Sequence, residues 1–250
     1  MQNTVKDIRN SFLEKYKNED FVTDKTGVKT IEIVSASFIA DEDSIFGTPN
    51  QSYIDREIQW YESQSLSVND LVPTPKIWQQ ISDDYGNINS NYGYLIFNSE
   101  NHNQYIRVRE ALSLDHNTRR AVMIYQRPTM HYDYNVNGMS DFICTNAVQY
   151  LIRNDQLHAV VQMRSNDVVF GYRNDYAWQK YVLDKLANDL KVEAGTIHWN
   201  VGSLHIYERH FNYIEDALFQ ISKKKAAIDL ADKAMGNYFK SVSEFYDHEI

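Results

Sequence analysis

Cys144 is the only thiol in the chain, and residues of complementary chemistry succeed it. Arg164, Ser165, Asn166 and Asp167 stand in a row, and Asp175 comes eight residues after Asp167. A thiolate is a strong nucleophile when positive charge favours it. An arginine fork binds phosphate or carboxylate through paired charge-assisted hydrogen bonds. A thiol, a guanidinium and a carboxylate facing one pocket would suit covalent chemistry on an anionic substrate. Each residue also has an inert reading: a lone cysteine is more often a small buried hydrophobe, Arg164 half of an ion pair, and Asp175 a helix cap. A Cys-His hydrolase built on Cys144 with His158 or His205 is another reading, without a supporting local signature.

The elements around these residues follow from pattern. Val148–Ile152 has strand composition and ends at the turn signal Asn154-Asp155; Leu157–Met163 then reads as the partner strand of a hairpin that delivers Arg164 to Asp167 at its end. From Asp175 onward, Trp178, Tyr181, Val182, Leu186 and Leu190 recur at helical spacing, which places Asn174 or Asp175 near a helix N-terminus. Val5, Ile8, Phe12 and Tyr16 mark an N-terminal packing helix. Asp24 to Gly27 make a turn before a strand-rich stretch, Val28 to Ala40. Asn50 to Ser63 reads as a helix with Glu57 in its middle. Pro73 and Pro75 precede a short helix near Ile77 to Ile81, and His102 to Leu114 is another helix before the strand Ala121 to Tyr125. Gly195 to Tyr207 reads as a strand with His205 and Tyr207 on one face. Residues 210–250 carry a lysine run and an amphipathic pattern, expected to form a peripheral helix of a single domain spanning 1–250.

With 43% apolar and 13% aromatic residues in 250, the chain can bury a large core. Its net charge of −9 argues against nucleic acid as a partner. One cysteine fits a reducing cytoplasm, no apolar run approaches a membrane span, and no signal-peptide pattern opens the chain. Neither metal-ligand spacing nor a Gly-rich phosphate loop is present.

Taken together, the short motifs resemble the thymidylate synthase superfamily, and within it most closely the deoxycytidylate hydroxymethylases of T-even-type bacteriophages. They are DKTG at Asp24–Gly27, REIQW at Arg56–Trp60, KIW at Lys76–Trp78, NYG at Asn91–Gly93, TRR at Thr118–Arg120, Cys144 with Gln149-Tyr150, Arg164-Ser165 with Asp167 and Gly171, and HIY at His205–Tyr207. The resemblance implies an α/β (α+β) fold, a mixed sheet flanked by helices, and a homodimer formed sheet to sheet with shared sites. It implies a phosphate cradle of Lys25, Arg164, Ser165 and, from the partner subunit, Arg119 and Arg120. Asn166 belongs to the same substrate-binding run, and His205 and Tyr207 would hold the deoxyribose. Glu57 and Tyr92 would manage water and protons, while Asp167 and Trp78 would meet the co-substrate 5,10-methylenetetrahydrofolate. Association with other phage nucleotide-synthesis enzymes is a further implied partner.

Departures from the synthase pattern concern the substrate and the product. Asp175 stands where synthases have asparagine. An amide matches the edge of uracil, whereas a carboxyl group can accept from the amino group of cytosine, so Asp175 implies dCMP as substrate. Ile81 replaces a second indole, and the synthases' apolar C-terminus has no counterpart. Both fit a wetter pocket in which water adds to the one-carbon unit and leaves a hydroxymethyl group. The alternative is a dCMP (or dUMP) methyltransferase, a thymidylate synthase-like enzyme that would share the same binding residues. Ile143-Cys144-Thr145 replaces Pro-Cys-His, a change that also fits the hydroxymethylase branch.

Overall fold

The computed structural model describes residues 2–24 and 27–247, with side chains beyond residue 228 described only at 230 and 235. Residues 1–208 form one compact unit and residues 209–250 another.

The first unit runs α1 (Val5–Lys17), β1 (Val22–Thr23), β2 (Lys29–Ile39), α2 (Gln51–Ser63), α3 (Lys76–Ile81), α4 (Tyr92–Phe97), α5 (Gln104–Leu114), β3 (Val122–Ile124), α6 (Met130–Asp133), β4 (Thr145–Arg153), β5 (Gln156–Asp167), α7 (Gly171–Leu190) and β6 (Glu193–Tyr207). The strands make one mixed sheet in the order β1-β2-β6-β5-β4-β3. β5 and β6 are parallel, with α7 as their crossover, and the other neighbours are antiparallel. The expected hairpin is β4–β5. Asn154 (φ 51°) and Asp155 (φ 59°) both adopt positive φ, the conformation of a tight two-residue turn that matches strand twist. Trp178, Trp199, Tyr125, Tyr150 and Tyr172 are among the largest fully buried side chains.

A break crosses three strands at one level. On β5 every second residue from Leu157 to Met163 is buried, but the next buried one is Asn166. The phase changes likewise between Val201 and Leu204 on β6, and between Ile31 and Ala36 on β2. The flanking registers put Ser35, Gly202 and Arg164 in one row. Ser35 there has φ 58°. Gly202 is required by close approach, since a Cβ on it would lie 2.8 Å from Arg164 O. Because the break falls in all three strands together, pairing continues beyond it and the strand ends turn as a group.

The second unit contains α8, Asn212–Asp247, so the tail is helical over that range, as its pattern predicts.

Candidate active site

Hairpin pairing brings Cys144 to Arg164: the Arg164 N–H donates to Cys144 O at 2.9 Å. The guanidinium then folds back along the cysteine loop. Its Nε donates to Ile143 O at 3.0 Å and its Nη2 to Phe142 O at 2.5 Å, with Nη2 3.5 Å from Cys144 Sγ. The Phe142 ring lies 4.8 Å from the guanidinium carbon. Arg164 therefore presents its charge to the thiol in a fixed orientation. Burial nevertheless pushes the thiol up to about 11, with Arg164 opposing and Asp175 and Asp141 adding to the rise. At neutral pH the thiol is protonated, and acidic charge around it works against its ionisation.

Glu57 is 5% exposed on α2. Tyr53, one turn earlier, donates its hydroxyl to Glu57 Oε1. Trp78 Nε1 donates to the same oxygen at 3.3 Å and to Tyr53 OH at 3.0 Å. Both contacts to the carboxyl involve Oε1, which leaves the other oxygen for a ligand. Burial pushes the Glu57 carboxyl up to about 7, against those hydrogen bonds. Trp78, expected beside the co-substrate, is thus also a buttress of Glu57 and packs edge-on to Trp60 at 5.2 Å. Tyr53 was legible only as an apolar position; its i,i+4 spacing from Glu57 is the signal that finds it.

Tyr92 opens α4, and its neighbour Gly93 lets α4 press onto α2, where a Cβ would lie 1.7 Å from Tyr61 O. That contact stacks Tyr92 on Tyr61 at 5.3 Å. The Tyr92 hydroxyl accepts from Thr145 Oγ1 at 3.1 Å, and the charge of Asp175 bears on it. Asp175 also accepts from Asn166 Nδ2 at 2.8 Å. Burial pushes its carboxyl up to about 8, and the charge of Glu57 adds to the rise. Two acids with raised pKa values therefore share this pocket with the thiol, a pattern characteristic of functional sites.

The helix that carries Asp175 begins at Gly171, four residues earlier than its apolar spacing predicts, so Asp175 sits inside the helix rather than at its cap. Asp167 is the reason. Its Oδ1 accepts from the N–H groups of Val169 (2.6 Å) and Phe170 (3.3 Å), organising the turn that starts α7. Neither bond uses Oδ2, which remains available to a co-substrate.

His205 is 8% exposed, opposite Asp167 in the β5–β6 register, with its ring 4.9 Å from that of Tyr207. Ser165 is half-buried opposite Ser203. Arg119 and Arg120 are both exposed and lie elsewhere: Gln149 holds Arg119 O at 2.8 Å, four residues and about 13 Å along β4 from Thr145. Within one chain, hydrogen bonds join Arg164 to Cys144, Asn166 to Asp175 and Thr145, next to the cysteine, to Tyr92, and the charges of Glu57 and Asp175 bear on one another; among the described residues no such bond involves the side chain of Arg119 or Arg120. Lys25 lies outside the described residues. The hydrolase partners are engaged away from the thiol, His158 with Thr196 and His205 with Ser203. Among the described residues no group of three or more side chains could hold a metal ion, and no helix is long and apolar enough to cross a membrane.

A family model described as thymidylate synthase matches residues 9–248. The chain is 57% identical over 220 residues to a protein named deoxycytidylate 5-hydroxymethyltransferase from Enterobacteria phage T4, covering 85% of this chain and 89% of the relative. The proteins of that name from phages T2 and T6 match to the same extent. A thymidylate synthase from Bacillus subtilis subsp. natto is 27% identical over 170 residues, covering 64% of this chain and 58% of that one. Among solved structures, thymidylate synthase from T4 phage superposes with a TM-score of 0.69 at 19% identity, covering 84% of this chain and 79% of the other. By model, relatives and fold, the chain belongs to the thymidylate synthase family.

Proposed function

We propose that the protein is a deoxycytidylate 5-hydroxymethyltransferase acting in the cytoplasm of a phage-infected bacterium. The observation that carries this reading is the carboxyl of Asp175, hydrogen-bonded by Asn166 and raised to about 8 by burial. As the acid at neutral pH it can donate to the ring nitrogen of cytosine and accept from the 4-amino group. Uracil carries a carbonyl in place of that amino donor and so leaves the buried acceptor Asn166 Oδ1 without a partner; a site built for one polar edge can reject the other by about 10⁴-fold.

Carbon 5 of a pyrimidine is a weak nucleophile. When Cys144 Sγ gives up its proton to water and adds to carbon 6, with Asp175 supplying a proton to the ring nitrogen, the new S–C6 bond turns the ring into an enamine that attacks through carbon 5. A proton shared between Asp175 and the ring nitrogen spreads the charge of that adduct. Trp78 and the Oδ2 of Asp167 would hold 5,10-methylenetetrahydrofolate, which supplies a one-carbon unit at the oxidation level of formaldehyde. Once that unit is attached to carbon 5, a water near Glu57 and Tyr92 takes the carbon 5 proton as the bond from the one-carbon unit to the folate nitrogen breaks. The ring then carries an exocyclic methylene, to which water adds, guided by the free oxygen of Glu57. Expulsion of Sγ leaves 5-hydroxymethyl-dCMP, and tetrahydrofolate is the other product.

Arg164 and Ser165 would receive the phosphate within the chain. Arg119 and Arg120, remote from their own cysteine, would complete the cradle of a partner subunit in a sheet-to-sheet homodimer. The sheet face that bears half-buried His158 and Val160 on β5 suits such pairing.

The test is mass spectrometry of products formed by purified protein with methylenetetrahydrofolate and either dCMP or dUMP. Hydroxymethylated product from dCMP alone is expected. Methylated dCMP would make it a methyltransferase, and turnover of dUMP would overturn the role of Asp175.

A further inference from the structure

Asp141 is a buried carboxylate, 4% exposed, three residues before Cys144, and the chemistry of the transfer gives it no direct part. Its Oδ2 accepts from the backbone N–H groups of Asn89 and Ser90, each at 2.7 Å, and its Oδ1 accepts from Ser90 Oγ at 2.6 Å. Asn89 returns the contact, donating from Nδ2 to Asp141 O at 3.1 Å. Burial raises the Asp141 carboxyl, and these donors together with Arg164 oppose the rise. The two backbone partners can only donate, and with the Ser90 hydroxyl they favour the ionised carboxylate. Ser90 is two residues before Tyr92, at the entry to α4. One side chain therefore ties the loop that carries the thiol to the loop that carries the tyrosine.

We infer that Asp141 is a positioning residue for the proposed hydroxymethyl transfer, on which this inference rests: it fixes Cys144 relative to Tyr92 and sets, against Arg164, the charge around the thiol. The charged and titratable groups facing Cys144 are Arg164 from β5, Asp175 from α7, Tyr92 from α4 and Asp141 from its own loop. Arg164 is the single cation in that set and Asp141 a fixed anion. Burial holds the thiol protonated and the carboxylate adds to that effect, which limits adventitious oxidation or alkylation of a solitary cysteine.

The test reads the thiol directly. The rate of Cys144 alkylation by iodoacetamide is followed by mass spectrometry across pH, without substrate, so the outcome stands whether or not dCMP is turned over. Asp141→Asn removes the anion and should move the alkylation profile to lower pH. Ser90→Ala keeps the anion but loosens the tie; it should leave the alkylation midpoint in place and lower kcat about tenfold, the scale of one buried hydrogen bond. A folded Asp141→Asn protein with an unchanged alkylation profile overturns the inference. Should Asp141→Asn fail to fold, Ser90→Ala decides: wild-type kcat overturns it, and reduced kcat with an unmoved midpoint upholds it.

Discussion

Asn166 donates from Nδ2 to Asp175 Oδ2 at 2.8 Å while its own Oδ1 is buried without a hydrogen-bond partner. An unpaired buried acceptor costs about 1–3 kcal/mol, and here it sits beside the acid proposed to read the base. A donor on the substrate, such as the amino group of cytosine, would relieve it. Asn166→Ala should therefore raise KM for dCMP about tenfold or more, as steady-state kinetics would reveal; an unchanged KM would place the substrate elsewhere.

Asp175→Asn should shift preference from dCMP toward dUMP in competition assays. It should also change stability. A carboxyl raised to about 8 when folded binds more protons there than in the unfolded chain, so its contribution is lost as pH rises through 8. The variant should melt above the wild type at pH 9, by about 3 °C for each kcal/mol recovered, and lose that advantage at pH 4.

Cys144→Ser should abolish turnover by at least about 10³-fold yet keep dCMP affinity, since Arg164 and Asp175 remain. Isothermal titration would separate the two. Residual turnover near wild type would eliminate the covalent route.

Tyr53→Phe removes a hydrogen bond that favours the carboxylate of Glu57. Its carboxyl, already raised to about 7, should rise further, so the limb of the kcat profile that depends on Glu57 should move to higher pH. Glu57→Gln should delete that limb and lower kcat about 100-fold.

Arg120→Ala and Cys144→Ser should each be inactive alone. Mixed and allowed to exchange subunits, they should regain about a quarter of wild-type activity, because half the dimers are mixed and each mixed dimer has one intact site. No recovery on mixing would confine the phosphate cradle to one chain.

Much of this arrangement was legible in the residues. Cys144, Arg164 and Asp175 stand out by type, and Asn154-Asp155 marks the hairpin that unites the first two. The resemblance supplied Glu57 and Tyr92, which composition alone would assign to a solvated helix face and to packing. Three things escaped. Asp167 nucleates the turn into α7, so the helix starts before the apolar spacing that reports it. Trp78 reaches Glu57 through folding of α3 against α2, a contact no local pattern encodes, and Tyr53 joins it from a position one turn away that reads as apolar. Asp141 meets Ser90 across 51 positions, and neither belongs to a motif.

The row Ser35–Gly202–Arg164 limits how far this site tolerates change. Residue 202 has no proposed contact with base or phosphate, yet the backbone of Arg164 leaves no room for a side chain there. Gly202→Ala would displace the carbonyl of the arginine that faces the thiol, with every chemical group still in place. The activity of this enzyme is thus hostage to a residue on the adjacent strand, and a catalogue of reactive side chains alone would miss one of its most fragile positions.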